Sequence, residues 1–224
     1  MNERWVLFKE LVLRWRQVDL QLDEADVVNE IISLEKKFKV SLPEGVRTWV
    51  SFIEEVLRYK TWWFRDSKSF VMLPEHDAFS LLIQGEHDYY WAVRRSDLTL
   101  PDPPVQGYRQ DFEQEGNVFV YDQQVSNSVS GFALKYLLDY HYLFNQKGGY
   151  AAHLEDGNEA LLLLRTNFGN GLVIEDYQVW EIPGCIILLN GNEFSVEYTL
   201  SPSALPELVQ KFAKWKYTYH GEQV

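Results

Sequence analysis

Between Trp5 and Trp15 the apolar positions Trp5, Phe8, Leu11, Val12 and Trp15 recur at three- and four-residue steps. That spacing puts them on one stripe of an α-helix. A second helix is expected over 23–38, with Asp23 as N-cap, Asp26 in the first turn, and Val27, Ile31, Leu34 and Phe38 on one face. A third begins at Pro43, whose fixed φ suits a first helical position, and carries Val46, Trp49, Val50, Ile53, Val56 and Leu57. The short link Val40-Ser41-Leu42 makes the second and third helices neighbours. After Tyr59 the period shifts towards two, predicting strands over 69–73, 78–84, 88–95 and 117–122. Gly85 marks a hairpin between 78–84 and 88–95. A broad apolar face from Val129 to Phe144 predicts a helix over 129–144.

The C-terminal third reads as an antiparallel meander, 178–182, 185–190 and 193–199, joined by Pro183-Gly184 and Asn190-Gly191-Asn192. A last helix, capped by Ser201 or Ser203, would carry Leu205, Leu208, Val209, Phe212 and Trp215. The segment 97–116 shows no period and is expected to be a long loop, the kind that is functional or mobile in a compact domain. The order of elements predicts an α+β fold: an N-terminal helical hairpin packed on a predominantly antiparallel sheet, with further helices after each strand group. No Pro/Gly/Ser-rich linker divides the 224 residues, so one domain over 1–224 is expected.

Composition narrows the functions. With 46% hydrophobic residues and one cysteine, Cys185, the chain builds its core without disulfides, which points to a reducing compartment, the cytoplasm. The N-terminus lacks the apolar run of a secretory signal, and runs such as Leu161–Leu164 are too short for a bilayer. Net charge is −12: residues 1–60 hold 10 Lys/Arg against 11 Asp/Glu, 61–125 hold 5 against 11, and 126–224 hold 6 against 11. Such a field disfavours nucleic acid and anionic membranes and favours basic partners, although acidity also serves solubility alone.

No dinucleotide, phosphate-loop, zinc-protease or nucleophile-elbow motif occurs. Cys185 follows a turn and opens an apolar strand, the setting of an inert buried thiol. Glu75-His76-Asp77 and Glu86-His87-Asp88 pair carboxylates with imidazoles, but adjacent residues on an extended chain point to opposite faces, and His141 and His153 lack ligand spacing. No metal, cofactor or catalytic residue is therefore expected. Trp62-Trp63-Phe64 and Tyr89-Tyr90-Trp91 sit in the most acidic third, which argues against base stacking in a cationic groove.

Leu34-Glu35-Lys36-Lys37-Phe38, then Val40-Ser41-Leu42-Pro43-Glu44, then a helix with Trp49 and Phe52-Ile53, resembles the N-terminal signature of the SUKH superfamily. Tyr90-Trp91-Ala92-Val93, Asp102-Pro103-Pro104-Val105 and Ser128-Val129-Ser130-Gly131-Phe132 resemble that family's strand, Pro-Val loop and closing helix. The resemblance covers about 23–145 and leaves 150–224 as an extension, and Arg58-Tyr59-Lys60 stands where the family often has Asn-Gly. It implies a non-enzymatic α+β binding domain: bacterial members resemble immunity proteins that neutralise a cognate toxin, and fungal relatives regulate cell-wall synthesis. Immunity-type binding of a basic toxin domain is the leading expectation. A regulatory or scaffold module with an endogenous partner is the alternative, and a hydrolase built on the Glu/His/Asp clusters a third. The expected partner surface joins Glu86, Asp88, Asp97, Asp102, Asp111, Glu113 and Glu115, with Tyr89, Trp91, Tyr108 and Phe112 as apolar anchors.

Overall fold

The computed structural model describes residues 2–16, 19–20, 25–58, 67–68, 70–84, 89–112, 118–139, 148–153, 157–191, 193–198, 207–208 and 217–219. Its helices and antiparallel sheets make the fold α+β, as the patterning predicts. Where one domain is expected, the chain resolves into two compact units, 1–133 and 134–224. The division falls inside a helix rather than at a linker, so no change of composition announces it.

The first unit opens with helices α1 (Glu3–Arg16), α2 (Ala25–Phe38) and α3 (Glu44–Arg58). All five apolar positions predicted to form a stripe on α1 are buried, as are Ile31 and Leu34 of α2 and Val46, Trp49, Val50, Phe52 and Ile53 of α3. The Leu42-Pro43 corner is clamped by polar groups. Glu35 Oε1 accepts the Leu42 N–H at 2.8 Å and pairs with Arg47 at 2.6 Å, while Arg47 Nε donates to the Leu42 carbonyl at 2.7 Å. Glu35, one of the residues that carries the family resemblance, thus satisfies the Leu42 N–H and holds Arg47 on the Leu42 carbonyl, backbone groups that the turn between helices leaves without partners.

The sheet of this unit comprises β1 (Ser67–Lys68), β2 (Met72–Leu73), β3 (Ala78–Gln84), β4 (Tyr89–Arg94), β5 (Val105–Gln110) and β6 (Phe119–Ser126). Its order is β1-β3-β4-β5-β6, with β2 also on β3 and every pairing antiparallel. The expected 97–116 loop is corrected here. A 3₁₀ helix occupies Arg95–Thr99 and β5 runs through its middle. Alternation hides β5 because Val105 and Tyr108 are its only large apolar residues and Gly107 interrupts it. The strand exists because β4 and β6 satisfy its backbone on both sides. Gly107 leaves room for the Tyr89 ring, whose hydroxyl and Cζ a Cβ there would meet.

The connection from that 3₁₀ helix to β5 gathers helix starts. Helix α4 spans Val129–Asp139. Asp102 Oδ1 accepts the Ser130 N–H at 3.1 Å, and Oδ2 accepts the Ser130 hydroxyl and, at 2.7 Å, the Asn2 amide. Asn2 in turn caps Trp5 at 3.1 Å, Ser128 Oγ caps Gly131 at 2.9 Å, and Gly45 N–H donates to the Pro101 carbonyl at 2.8 Å. The start of α4 therefore bonds this carboxylate directly, α1 reaches it through Asn2, and Gly45 at the start of α3 lies against it, a charge that helix N-termini favour.

The second unit holds β7 (Gly148–His153), α5 (Gly157–Phe168), β8 (Leu172–Ile174), β9 (Tyr177–Ile182), β10 (Cys185–Asn190), β11 (Glu193–Tyr198) and β12 (Tyr217–Tyr219). They form a separate sheet in the order β12-β7-β11-β10-β9-β8. The expected meander is its centre, and Gly184 turns it with φ +84°, the conformation a Pro-Gly type II turn requires. Leu161, Leu164 and Phe168 of α5 pack on Trp180, Ile187, Phe194 and Val196. Of the expected C-terminal helix, Glu207 and Leu208 are helical, and the rest lies outside the described residues. So do residues 140–144 of the helix expected over 129–144.

Candidate functional site: the outer face of the first sheet

Strand alternation gives the first sheet two faces of different character. On the helix side, Trp49 Nε1 donates to the Leu81 carbonyl at 3.3 Å, Trp49 and Trp91 both meet Phe132, and Phe79 meets Phe38. On the outer side a thin layer of Leu73, Ala78, Ala92 and Tyr108 is covered by a 3₁₀ turn, Pro74–His76. The His76 ring lies 4.6 Å from that of Tyr108, and its Nε2 donates to the Phe119 carbonyl.

Beyond that cover the outer face is aromatic and open. Tyr90 meets Phe119 edge-on at 4.7 Å, Tyr121 meets Tyr108 at 6.0 Å, and the Arg94 guanidinium stands 5.5 Å over the Tyr121 ring. Tyr90 and Phe119 are half-buried, Arg94 is exposed, and Tyr121 is 46% exposed. Burial raises the Tyr90 and Tyr108 phenols above their ordinary range, so both are neutral hydrogen-bonding groups at neutral pH. Phe112, 76% exposed, follows β5 at the end of the sheet where Gln110 pairs with Phe119.

The residues expected from sequence to form one partner surface do not share one. Asp111 and Phe112 lie at the β5–β6 end, while Asp97 and Asp102 lie at the opposite end, in the connection from β4 to β5. Asp102 is occupied by the helix starts described above. Trp91 and Tyr108 are 7% and 1% exposed, and their rings are packed inside the unit. Tyr89 lies on the helix side over Gly107, its hydroxyl 3.1 Å from Asp122, and burial followed by that carboxylate lifts its phenol to about 12. Glu86, Asp88, Glu113 and Glu115 lie outside the described residues.

Arg94, Phe119 and Tyr121 were not singled out by sequence, and Tyr90 was noted there without being placed on the partner surface. In Tyr89-Tyr90-Trp91 both parities are aromatic, so alternation alone does not say which faces outward. The signal was available one strand further on. Phe119 and Tyr121 share a parity, and β6, an edge strand, is otherwise polar from Asp122 to Gln124.

Chemistry is sparse elsewhere. Among the described residues no three His, Cys, Asp or Glu side chains stand together to hold a metal ion, and no helix is long and apolar enough to cross a membrane. Burial pushes the Cys185 thiol up to about 12, away from nucleophilic use. An open groove of about 590 Å³ runs between the Leu42-Pro43 corner and Leu98–Pro101. Its one charged side chain, Arg95, is tied to the Phe38 carbonyl at 3.1 Å and to Asp77 at 3.5 Å. Comparison with protein-family models, curated proteins and solved structures returns no match.

Proposed function

We propose that this chain is a non-enzymatic protein-binding module of the immunity type, which neutralises a toxin domain by direct binding through the outer face of its first sheet. The observation that carries the proposal is the aromatic surface of Tyr90, Phe119 and Tyr121, joined at one end by Phe112 and crossed by Arg94. Binding hot spots are built of Tyr, Trp and Arg, with aromatic area that immobilises few rotors. Phe112 at 76% exposure gives up apolar burial that folding has not used, and a partner recovers it. The SUKH resemblance supports the same reading. So does the charge: Asp111 stands beside Phe112, and the neighbouring sequence holds Glu86, Asp88, Glu113 and Glu115, an acidity suited to a basic partner.

The test starts from the gene neighbourhood, where this reading predicts a toxin gene, and co-expresses that toxin domain with this chain. Growth should be restored and a stoichiometric complex isolated. Phe112→Ser with Tyr121→Ser should raise the dissociation rate at least tenfold with thermal stability unchanged. Asp111, Glu113 and Glu115 reversed to lysine should slow association and flatten its salt dependence. A toxin that stays lethal in the presence of the folded chain overturns the immunity reading. Neutralisation indifferent to both variants removes this face as the site.

A further inference from the structure

The two sheets treat their open edges in opposite ways. On the first, β6 pairs with β5 through register shifts at Val105/Gln106 and Gly107/Tyr108 and exposes Asp122, Gln123 and Gln124. Bulges and charges are the usual defence of an edge against pairing with another chain. On the second sheet, β8 pairs with β9 alone among the described residues, and this short strand has neither a bulge nor a charged residue. Its residues are Leu-Val-Ile, with Val173 67% exposed.

The backbone of β8 faces the same way. Glu175-Asp176 is a two-residue turn, so Ile174–Tyr177 is the hydrogen-bonded pair that closes the hairpin. Alternation then directs the N–H and C=O of Val173 at the open edge. Its side chain shares a face with its partner Gln178, which Arg165 of α5 reaches at 3.4 Å. On the turn of α5 just before Arg165 stands Leu162, 66% exposed.

We infer that β8 is a self-association edge: a second copy of this chain adds its own β8 antiparallel across a two-fold axis near Val173. Identical strands pair antiparallel in a closed, isologous dimer, and the sequence suits that arrangement. Pairing about Val173 sets Leu172 against Ile174 and Val173 against itself, with no like charges opposed. It also brings the Asn170–Gly171 end of one copy to the Glu175–Asp176 end of the other. The first end carries Arg165, whose guanidinium is bonded to Gln178, itself bonded to the Asn170 carbonyl. The second carries two carboxylates, of which Asp176 is well exposed and lies 3.6 Å from Lys135 of its own chain. Charge thus selects the antiparallel mate. A three-residue edge flanked by one helix falls short of the roughly 1,200–2,000 Å² of a standard interface, so the dimer is weak and reversible.

Sedimentation velocity from about 10 µM to about 1 mM tests this in the concentration range of weak association. The mass should rise from that of one chain, 26.4 kDa, towards twice that value. Val173→Lys should hold it at one chain with the circular dichroism spectrum unchanged. Arg165→Glu should weaken the dimer at least tenfold, and adding Asp176→Arg should restore it. Hydrogen exchange supplies a check without substitution, since protection of the Val173 amide should grow with concentration. One-chain mass at the highest concentration overturns the inference, as does a dimer in which Val173 exchange is independent of concentration. Neither outcome bears on toxin binding, which concerns the other sheet.

Discussion

Replacing Asp102 with alanine removes the carboxylate on which the starts of three helices converge. The lost bonds are those from the Ser130 N–H at 3.1 Å, the Asn2 amide at 2.7 Å and the Ser130 hydroxyl. Losing a capping side chain costs about 0.5–2 kcal/mol. The bond from Asn2, which itself caps α1, adds roughly 1 kcal/mol. Asp102 is half-buried and water recovers part of this, so the total should be about 1–3 kcal/mol. Asp102→Asn should cost only about 1 kcal/mol: the hydroxyl can turn to accept from the new amide, but the Asn2 amide then faces a second donor. Because the chain has two compact units, the assay must report on the first. Native-state hydrogen exchange at Trp5, Ser130 and Gly131 does so, and about 1–3 kcal/mol corresponds to about a 5- to 150-fold fall in protection. A change below about threefold would show that Asp102 is a solvated loop residue, and the reasoning about converging helix starts would fail.

Trp49 is fully buried beside Phe132 and donates to the Leu81 carbonyl, so Trp49→Ala should cost about 3–5 kcal/mol, measured by urea unfolding of the first unit. A loss under about 1 kcal/mol would contradict the phase assigned to α3. Cys185 should resist thiol reagents at pH 8 in the native protein and react once denatured. Burial holds its thiol up at about 12, above the ordinary 9.0, so the unfolded chain gives up this proton first as pH rises. Its linkage contribution is therefore fully present below pH 9 and lost between about 9 and 12. Tyr89, raised from 10.0 to about 12, has the same sign over the upper part of that window. A Cys185→Ser variant whose stability falls as steeply above pH 9 as the parent would remove the thiol's share.

The amino-acid sequence by itself determined the elements whose stabilisation is local. A 3.6-residue stripe defines α1, α2 and α3 because a helix satisfies its own backbone and needs only one apolar face. Pro183-Gly184 and Asn190-Gly191 specify hairpins because they supply turn conformations that few other residues adopt, and the strands they join follow. What depends on distant partners was decided only by tertiary structure. Both β5 and β7 read as glycine-interrupted, weakly apolar segments, yet both lie inside sheets because neighbours on each side pair with them. The same holds for the site. The acidic and aromatic residues were legible as a list, but their faces were not. Strand parity and the cover provided by His76 put Trp91 and Tyr108 inside, the meeting of three helix starts took Asp102, and Tyr90, Phe119 and Tyr121 were left facing outward. A side chain's type is fixed by the sequence, whereas its exposure is a property of everything packed around it.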